Sequence, residues 1–133
     1  MDHQFLKDIV MPIDVEKTET VSEILNAFND TSFQSRNLAK CVEIFVRMLK
    51  DSDKPTIFLG LTGAMIPAGM KKVISTMVRK RMVHVIVTTG ANAYQDVVKY
   101  FGYYHYEGSP TADDTELYRY GIDRIYDTYA SES

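Results

Sequence analysis

Two apolar segments, each followed by a loop of small residues, decide the fold of this chain of 133 residues. They read Thr56-Ile57-Phe58-Leu59-Gly60-Leu61-Thr62-Gly63-Ala64 and Met82-Val83-His84-Val85-Ile86-Val87-Thr88-Thr89-Gly90-Ala91-Asn92. Short apolar runs bounded by glycine are typical of strands that are buried on both faces. We therefore predict strands over 56–59 and 82–87, each followed by a loop that carries threonine and glycine.

A helical pattern follows each loop. After the loop at 61–67, a helix is predicted through Val78, with Pro67 suited to its first turn because the missing amide proton needs no partner there. A second helix is predicted over 93–100. The order strand, loop, helix, repeated twice, is that of a parallel sheet with right-handed crossovers. The predicted fold class is α/β, with a sheet that is incomplete in this chain.

The remainder divides into flanking segments. Residues 1–18 are predicted to form an N-terminal arm, and 19–133 the first part of the α/β domain. Two capping-box patterns, Thr20 to Glu23 and Thr31 to Gln34, predict a short helix to about Phe28 and a long one ending near Lys50. Toward the C-terminus a helix is predicted to open at Asp113 or Asp114, and the extended segment 122–129 is a candidate for a further strand.

Composition excludes several classes of function. The net charge of −3 has the wrong sign for a protein that neutralises nucleic-acid phosphates. The single cysteine, Cys41, lies on the apolar side of the long helix and is predicted to be a buried thiol. With three histidines far apart in sequence, no metal site is expected. Neither a membrane span nor a targeting signal is visible, so a cytoplasmic protein is predicted.

The two small-residue loops are the candidate ligand site. In open α/β sheets, ligands bind beyond the carboxyl ends of the strands, where amides and small residues admit phosphates. Backbone amides and threonine hydroxyls suit a dinucleotide pyrophosphate or ribose, and Gln95 and Asp96 lie near the same edge. The glycines do not match G-x-G-x-x-G, so they are equally explained as residues that permit tight turns. His84 is interpreted as a hydrogen-bonded, half-buried residue, and His105 as part of an aromatic packing cluster, rather than as bases.

Four segments resemble the deoxyhypusine synthases and their homospermidine synthase-like relatives. They are Thr31-Ser32-Phe33-Gln34-Ser35-Arg36-Asn37-Leu38, Leu59-Gly60-Leu61-Thr62-Gly63-Ala64-Met65-Ile66-Pro67-Ala68-Gly69-Met70, Val87-Thr88-Thr89-Gly90-Ala91-Asn92 and Gly121-Ile122-Asp123-Arg124-Ile125-Tyr126-Asp127. The resemblance is ordered and runs from about Ser22 onward. It implies a Rossmann-like parallel sheet with flanking helices, NAD as cofactor, spermidine as substrate and a homotetramer built from tight dimers.

The resemblance also implies a reaction. NAD oxidises spermidine, a lysine captures the butylamine group as an imine, and the group passes to a lysine of the hypusine-containing translation factor, or to putrescine in the relatives. Carried over by motif, the NAD contacts fall in the first loop and in the second, with Gln95 beside them. The residues are Thr62, Gly63, Ala64 and Pro67, then Thr89, Gly90 and Ala91.

Two departures from the family pattern shape the prediction. Gln95 stands where the family is expected to have glutamate or histidine, and an amide cannot relay a proton. Family enzymes are more than twice as long, and the imine-forming lysine lies in the part missing here, so no catalytic residue is expected in this chain. The prediction is an NAD-binding N-terminal chain or fragment that needs a C-terminal partner chain. The alternatives are a homospermidine synthase-like enzyme and a non-catalytic regulatory or assembly subunit.

Overall fold

A computed structural model describes residues 6–131, so the first five residues of the predicted arm and the last two of the chain lie outside the described part. The chain divides into two compact units, Met1–Pro55 and Thr56–Ser133. The first is helical. The second contains both sheets.

The first unit is built on two helices, α1 (Val21–Ala27) and α2 (Phe33–Lys50). The first predicted capping box is confirmed. The Glu23 amide donates to Thr20 Oγ1 at 3.2 Å, and the Thr20 amide donates to Glu23 Oε2 at 2.8 Å. These backbone donors lower the pKa of the Glu23 carboxyl because they stabilise its charged form.

Two predictions about the long helix are wrong. The second capping box does not form. Ser32 occupies the N-cap position of α2 without a side-chain cap, and the Thr31 hydroxyl donates back to the Phe28 carbonyl at 2.7 Å. Cys41 is exposed rather than buried. The 3.6-residue period identifies an apolar side of the helix, but only a second surface can bury it.

The second unit begins with two parallel strands, each followed by a helix. They are β1 (Phe58–Leu61), α3 (Lys71–Arg79), β2 (Val85–Thr88) and α4 (Gly90–Tyr100). The strands pair in parallel, from Phe58 opposite Val85 to Leu61 opposite Thr88. The α/β class and its incomplete parallel sheet are thereby confirmed.

The strands and helices of the second unit begin at residues other than those predicted. Both predicted strands begin too early. Ahead of the paired region, Ile57 donates its amide to His84 Nδ1 at 3.0 Å and accepts from the His84 amide at 2.9 Å. Pro67 was predicted in the first turn of a helix, but 62–70 forms bends and irregular turns and α3 starts at Lys71. Gly90 to Asn92, predicted as loop, form the first turn of α4.

The C-terminal segment forms a second, antiparallel sheet. Its strands are β3 (His105–Glu107), β4 (Ile122–Ile125) and β5 (Thr128–Ser131), in the order β3-β5-β4, with α5 (Asp114–Arg119) before β4. The candidate strand over 122–129 is therefore a hairpin that reverses at Tyr126, whose φ is +58°. Arg124 links the hairpin to α5, because its Nε donates to Asp114 Oδ1 at 2.6 Å and its Nη2 donates to Asp114 Oδ2 at 2.8 Å.

The buried apolar side chains of the second unit are few. Ile57, Leu61, Ile66 and Val83 are each at most 8% exposed. Leu61 is the last residue of β1, Ile57 directly precedes β1 and Val83 lies two residues before β2, so the core of this unit sits at the parallel strands. No helix within residues 6–131 is both long enough and apolar enough to cross a bilayer.

Candidate functional site

The register of the parallel strands brings the two predicted loops to one edge of the sheet. Leu61 and Thr88 are paired at the carboxyl ends of β1 and β2, and Thr88 Oγ1 donates to the Leu61 carbonyl at 3.0 Å. Thr62 and Thr89 follow directly in sequence, so the two loops leave the sheet side by side. This is the edge at which open α/β sheets bind their ligands.

The first loop exposes its backbone. Thr62 and Gly63 are exposed, while Ala64 and Pro67 are half-buried. Gly63 has a φ of +74°, a conformation that L side chains rarely adopt, and a Cβ there would meet no atom within 4 Å. Glycine at this position therefore both permits the turn and leaves the backbone open to a ligand.

The second loop ends in a helix N-terminus. Thr89 is the N-cap residue of α4 but makes no side-chain cap, and Gly90 and Ala91 are the first two helical residues. Amides in a first helical turn have no partner within the helix and carry partial positive charge. Gly90 has open space where a Cβ would lie, so these amides are approachable from that side.

Asn92 is a functional candidate that the sequence did not reveal by itself. It is 2% exposed, and its Nδ2 donates to Thr88 Oγ1 at 3.2 Å and to Thr89 Oγ1 at 3.4 Å. Its buried Oδ1 makes no hydrogen bond with any described residue. Asn92 thus fixes both threonine hydroxyls at the sheet edge. The only sequence signal was its place at the end of the Thr-Thr-Gly-Ala loop.

Gln95 and Asp96 lie in the next turn of α4, both half-buried. Asp96 Oδ1 is 2.6 Å from Lys71 Nζ at the start of α3, an ion pair that joins the two helices following the two loops. The two side chains are 39% and 47% exposed, so solvent screens the pair and it contributes little to stability. Asp96 was predicted near the sheet edge, and its carboxylate is engaged by Lys71.

Gln95 also lines a cavity of about 610 Å³ between α4 and the antiparallel sheet. Gln95 Oε1 and His105 Nδ1 are buried there without a hydrogen-bond partner among the described residues. Burial lowers the pKa of His105, and the positive charge of Lys99 lowers it further, so the imidazole favours its neutral form. The polar and aromatic lining residues are Tyr94, Gln95, Tyr103, Tyr104, His105, Asp123 and Ser131.

His84, which was predicted to be hydrogen-bonded and half-buried, is hydrogen-bonded but exposed. Its Nδ1 accepts from the Ile57 amide, so a hydrogen bond joins the residues that directly precede β1 and β2. Within residues 6–131, no group of three or more His, Cys, Asp or Glu side chains is arranged to hold a metal ion.

The family model and the curated relatives that match this chain carry the same family description. The family described as deoxyhypusine synthase matches residues 23–133. The chain is 45% identical over 128 residues to a "Probable deoxyhypusine synthase 2" of Methanosarcina acetivorans and to one of Methanosarcina mazei. Each match covers 96% of this chain and 36% of the relative.

A bacterial relative extends this likeness. The chain is 43% identical over 129 residues to a "Deoxyhypusine synthase-like protein" of Chlorobaculum parvum, again covering 96% of this chain and 36% of the relative. The chain therefore spans about 36% of the length of the curated relatives it matches. Both the family match and the level of identity lead to one conclusion: this chain belongs to the deoxyhypusine synthase family.

Proposed function

We propose that this chain is the N-terminal, NAD-binding part of a deoxyhypusine synthase and acts together with a C-terminal chain of the same enzyme. The observation that carries the proposal is the pairing of Leu61 with Thr88, which sets the two glycine-containing loops at one sheet edge. Membership of the family and coverage of only 36% of its relatives support the assignment of the chain as the N-terminal part.

The residues at this edge fit a dinucleotide. Gly63 and Gly90 both lack neighbours where a Cβ would lie, and α4 offers first-turn amides suited to a pyrophosphate. The buried, unpartnered Oδ1 of Asn92 adds an acceptor beside them. The residues proposed to hold NAD are Thr62, Gly63, Ala64, Pro67, Thr89, Gly90, Ala91 and Gln95. NAD bound there supplies a hydride acceptor.

The proposed reaction is the one that the resemblance to the deoxyhypusine synthases implies. With NAD bound, the assembled enzyme would oxidise spermidine, release its three-carbon diamine, transfer the four-carbon group as an imine to a lysine of the hypusine-containing translation factor, and return the two electrons from the reduced cofactor to that imine to give the 4-aminobutyl product. This chain positions the cofactor, while the partner chain carries the imine-forming lysine and the acidic residues that hold spermidine. We further propose a cytoplasmic assembly of dimers, tetrameric or larger.

One observation favours a second candidate, a non-catalytic subunit. The Gln95 side chain reaches the cavity beside His105 with its Oε1 buried and unpartnered. An amide there can hold a ligand but cannot relay a proton. A chain of this kind would retain nucleotide binding and contribute assembly or regulation rather than chemistry.

The test begins with the protein purified from its own source, with intact-mass analysis of every chain that co-elutes. NAD is then titrated while thermal unfolding is followed. A ligand at a hundred times its Kd stabilises the folded state by about 2.7 kcal/mol. A co-eluting family chain, a rise in Tm with NAD, and 4-aminobutyl transfer from spermidine to the translation factor are expected.

Three results would change the proposal. Transfer to putrescine instead of the protein lysine would identify the homospermidine synthase-like activity. NAD-dependent stabilisation without any transfer by the assembled protein would favour the non-catalytic subunit. No change in Tm at millimolar NAD would refute the cofactor assignment.

A further inference from the structure

The hydrogen bonds of Thr88 fix the orientation of the Asn92 carboxamide. A threonine hydroxyl has one hydrogen, and Thr88 donates its hydrogen to the Leu61 carbonyl at 3.0 Å. Toward Asn92, Thr88 Oγ1 therefore acts as an acceptor, so the amide nitrogen and not the amide oxygen must face it. The distance from Asn92 Nδ2 to Thr88 Oγ1 is 3.2 Å. Asn92 is thereby fixed as a donor on this side.

The same amide nitrogen also donates to Thr89. An amide nitrogen carries two hydrogens, and Asn92 Nδ2 lies 3.4 Å from Thr89 Oγ1, which accepts the second of them. Within residues 6–131, the Thr89 hydroxyl donates to no other group. Because Thr89 is exposed at the sheet edge, its own hydrogen is available there to an acceptor outside this chain.

This arrangement differs from that of an ordinary helix N-cap. A threonine at the N-cap position usually accepts from a backbone amide two or three residues further on. Thr89 makes no such bond, and its oxygen accepts from the Asn92 side chain instead. The first-turn amides of α4 keep their hydrogens for another acceptor. Together with the Thr89 hydroxyl, they make the N-terminus of α4 a set of hydrogen-bond donors.

The burial of Asn92 is a second, independent observation. Asn92 is 2% exposed, and its Oδ1 is buried without a hydrogen-bond partner in the described part of the chain. A buried amide oxygen that lacks a hydrogen bond is destabilising. Stability alone therefore does not account for an asparagine at this position. Holding a binding group in one orientation before the ligand arrives is a role that does, since it lowers the cost of binding.

We infer that Asn92 is a positioning residue of the nucleotide site. By donating to Thr89 Oγ1, it holds the Thr89 hydroxyl as a hydrogen-bond donor toward an acceptor oxygen of the bound nucleotide. The phosphate and ribose oxygens of NAD are acceptors of this kind. This inference rests on the proposed function, from which it takes NAD as the ligand, and it adds a residue that acts on NAD only through Thr89.

A double-mutant cycle on the assembled protein tests this inference. NAD is titrated calorimetrically into the wild type, Asn92→Ala, Thr89→Val and the double variant. Each single substitution is expected to weaken NAD binding about fivefold, the loss of one hydrogen bond. The double variant is expected to bind NAD no more weakly than the weaker single variant, because Asn92 acts through the hydroxyl. Losses that multiply in the double variant would overturn the inference.

A conservative variant separates positioning from a general structural role. Thr89→Ser keeps the hydroxyl, so it is expected to bind NAD like the wild type and to show the full fivefold loss when Asn92→Ala is added. An equal loss from Asn92→Ala in the serine and valine backgrounds would contradict the inference. The matched control is Thr76→Val on α3, which removes a hydroxyl that accepts from Arg79 Nη2 at 3.2 Å and is expected to leave NAD affinity unchanged.

A second substitution at the same position covers the case in which Asn92→Ala does not fold. Asn92→Asp keeps the shape of the side chain but replaces Nδ2 by an oxygen, which draws the Thr89 hydrogen away from the ligand. The added charge acts on NAD in any background. A greater loss of NAD affinity in the Thr89 chain than in Thr89→Val is therefore expected, and equal losses would refute the inference.

Failure of this inference and failure of the proposed function give different results. A wild-type assembly that binds NAD, with losses that multiply between the two positions, refutes the role of Asn92 and leaves the proposed function standing. A wild-type assembly that does not bind NAD refutes the proposed function, and the inference that rests on it falls as well.

Discussion

Thr88 ties the carboxyl ends of the two parallel strands together. Its hydroxyl donates to the carbonyl oxygen of Leu61 at 3.0 Å and accepts from Asn92 Nδ2 at 3.2 Å. One side chain thus connects β1, β2 and the first turn of α4. The relative position of the two loops depends on this connection.

Replacing the Thr88 hydroxyl is expected to destabilise the protein. Thr88→Val keeps the shape but removes one donor and one acceptor, and it leaves Asn92 Nδ2 with only the longer bond to Thr89. A net loss of about 1 kcal/mol in unfolding free energy is expected for a hydrogen bond of this kind. Urea unfolding of Thr88→Val and of the matched control Thr88→Ser measures this loss of unfolding free energy. An equal loss in both variants would show that the hydroxyl does not stabilise the protein.

Glycine variants test the nucleotide site. Gly63 and Gly102 both have positive φ, +74° and +96°, and open space around a Cβ, so valine strains the backbone at either position. Of these two variants, Gly63→Val alone is expected to weaken NAD binding, by at least about tenfold, or 1.4 kcal/mol. Gly102→Val is the matched control for backbone strain.

Gly90→Val separates the binding effect from strain, because Gly90 is helical and its φ lies outside the positive region. Gly90→Val is also expected to weaken NAD binding. Calorimetric titration of the three assembled variants decides the matter: unchanged affinity in both Gly63→Val and Gly90→Val would show that NAD does not approach these loops.

Gly108 is closely packed in the antiparallel sheet. A Cβ there would lie 2.5 Å from two carbons of the Tyr129 ring, whose hydroxyl accepts from the Ser109 amide at 3.0 Å. Gly108→Ala must displace the ring and lose this hydrogen bond, a cost of about 1–3 kcal/mol. Thermal unfolding of this variant should show a lower Tm, and Gly90→Ala, with no neighbour to displace, should not.

Asp114 makes the folding stability of the protein depend on pH through its contact with the hairpin. The hydrogen-bonded Arg124 guanidinium lowers the pKa of Asp114 below its ordinary value of 3.8. Because the folded pKa lies below the unfolded one, the stabilisation is complete above about pH 4 and is lost as pH falls through the folded value. The Tm advantage of the wild type over Asp114→Asn should therefore be present at pH 6 and shrink below pH 4.

A companion variant isolates the cause. Asp113 accepts from the Thr115 amide at 2.9 Å, and the bonds of Arg124 run to Asp114, Pro110 and Tyr126 instead. Asp113→Asn removes an adjacent charge while keeping a capping oxygen. A pH-dependent advantage that is the same against both variants would show that the pair with Arg124 is not its source.

Local chemistry explains what could be predicted from the sequence. The Thr20 capping box and the 3.6-residue period of α2 depend on neighbours within four residues, and both were identified correctly. The alternation of apolar strands, small-residue loops and helices also specified a parallel sheet before any coordinates. The Thr-Gly-Ala and Thr-Thr-Gly-Ala-Asn segments carried the family likeness.

Pairing and burial could not be predicted in the same way. The chain after Tyr126 turned back as β5 because β5 bonds to both β3 and β4, partners up to 25 residues away. His105 entered a cavity with Gln95 for the same reason. These contacts join residues that no local pattern relates.

The sequence by itself therefore determined the family, the α/β order of elements and the two loops that flank the proposed site. The tertiary structure alone decided that Leu61 and Thr88 pair, that Gly90 begins a helix, and that Phe58 and Val87 stay exposed. The division has a physical cause. Backbone conformation follows from near neighbours in the chain, whereas register and burial arise only when distant segments exclude water from one another.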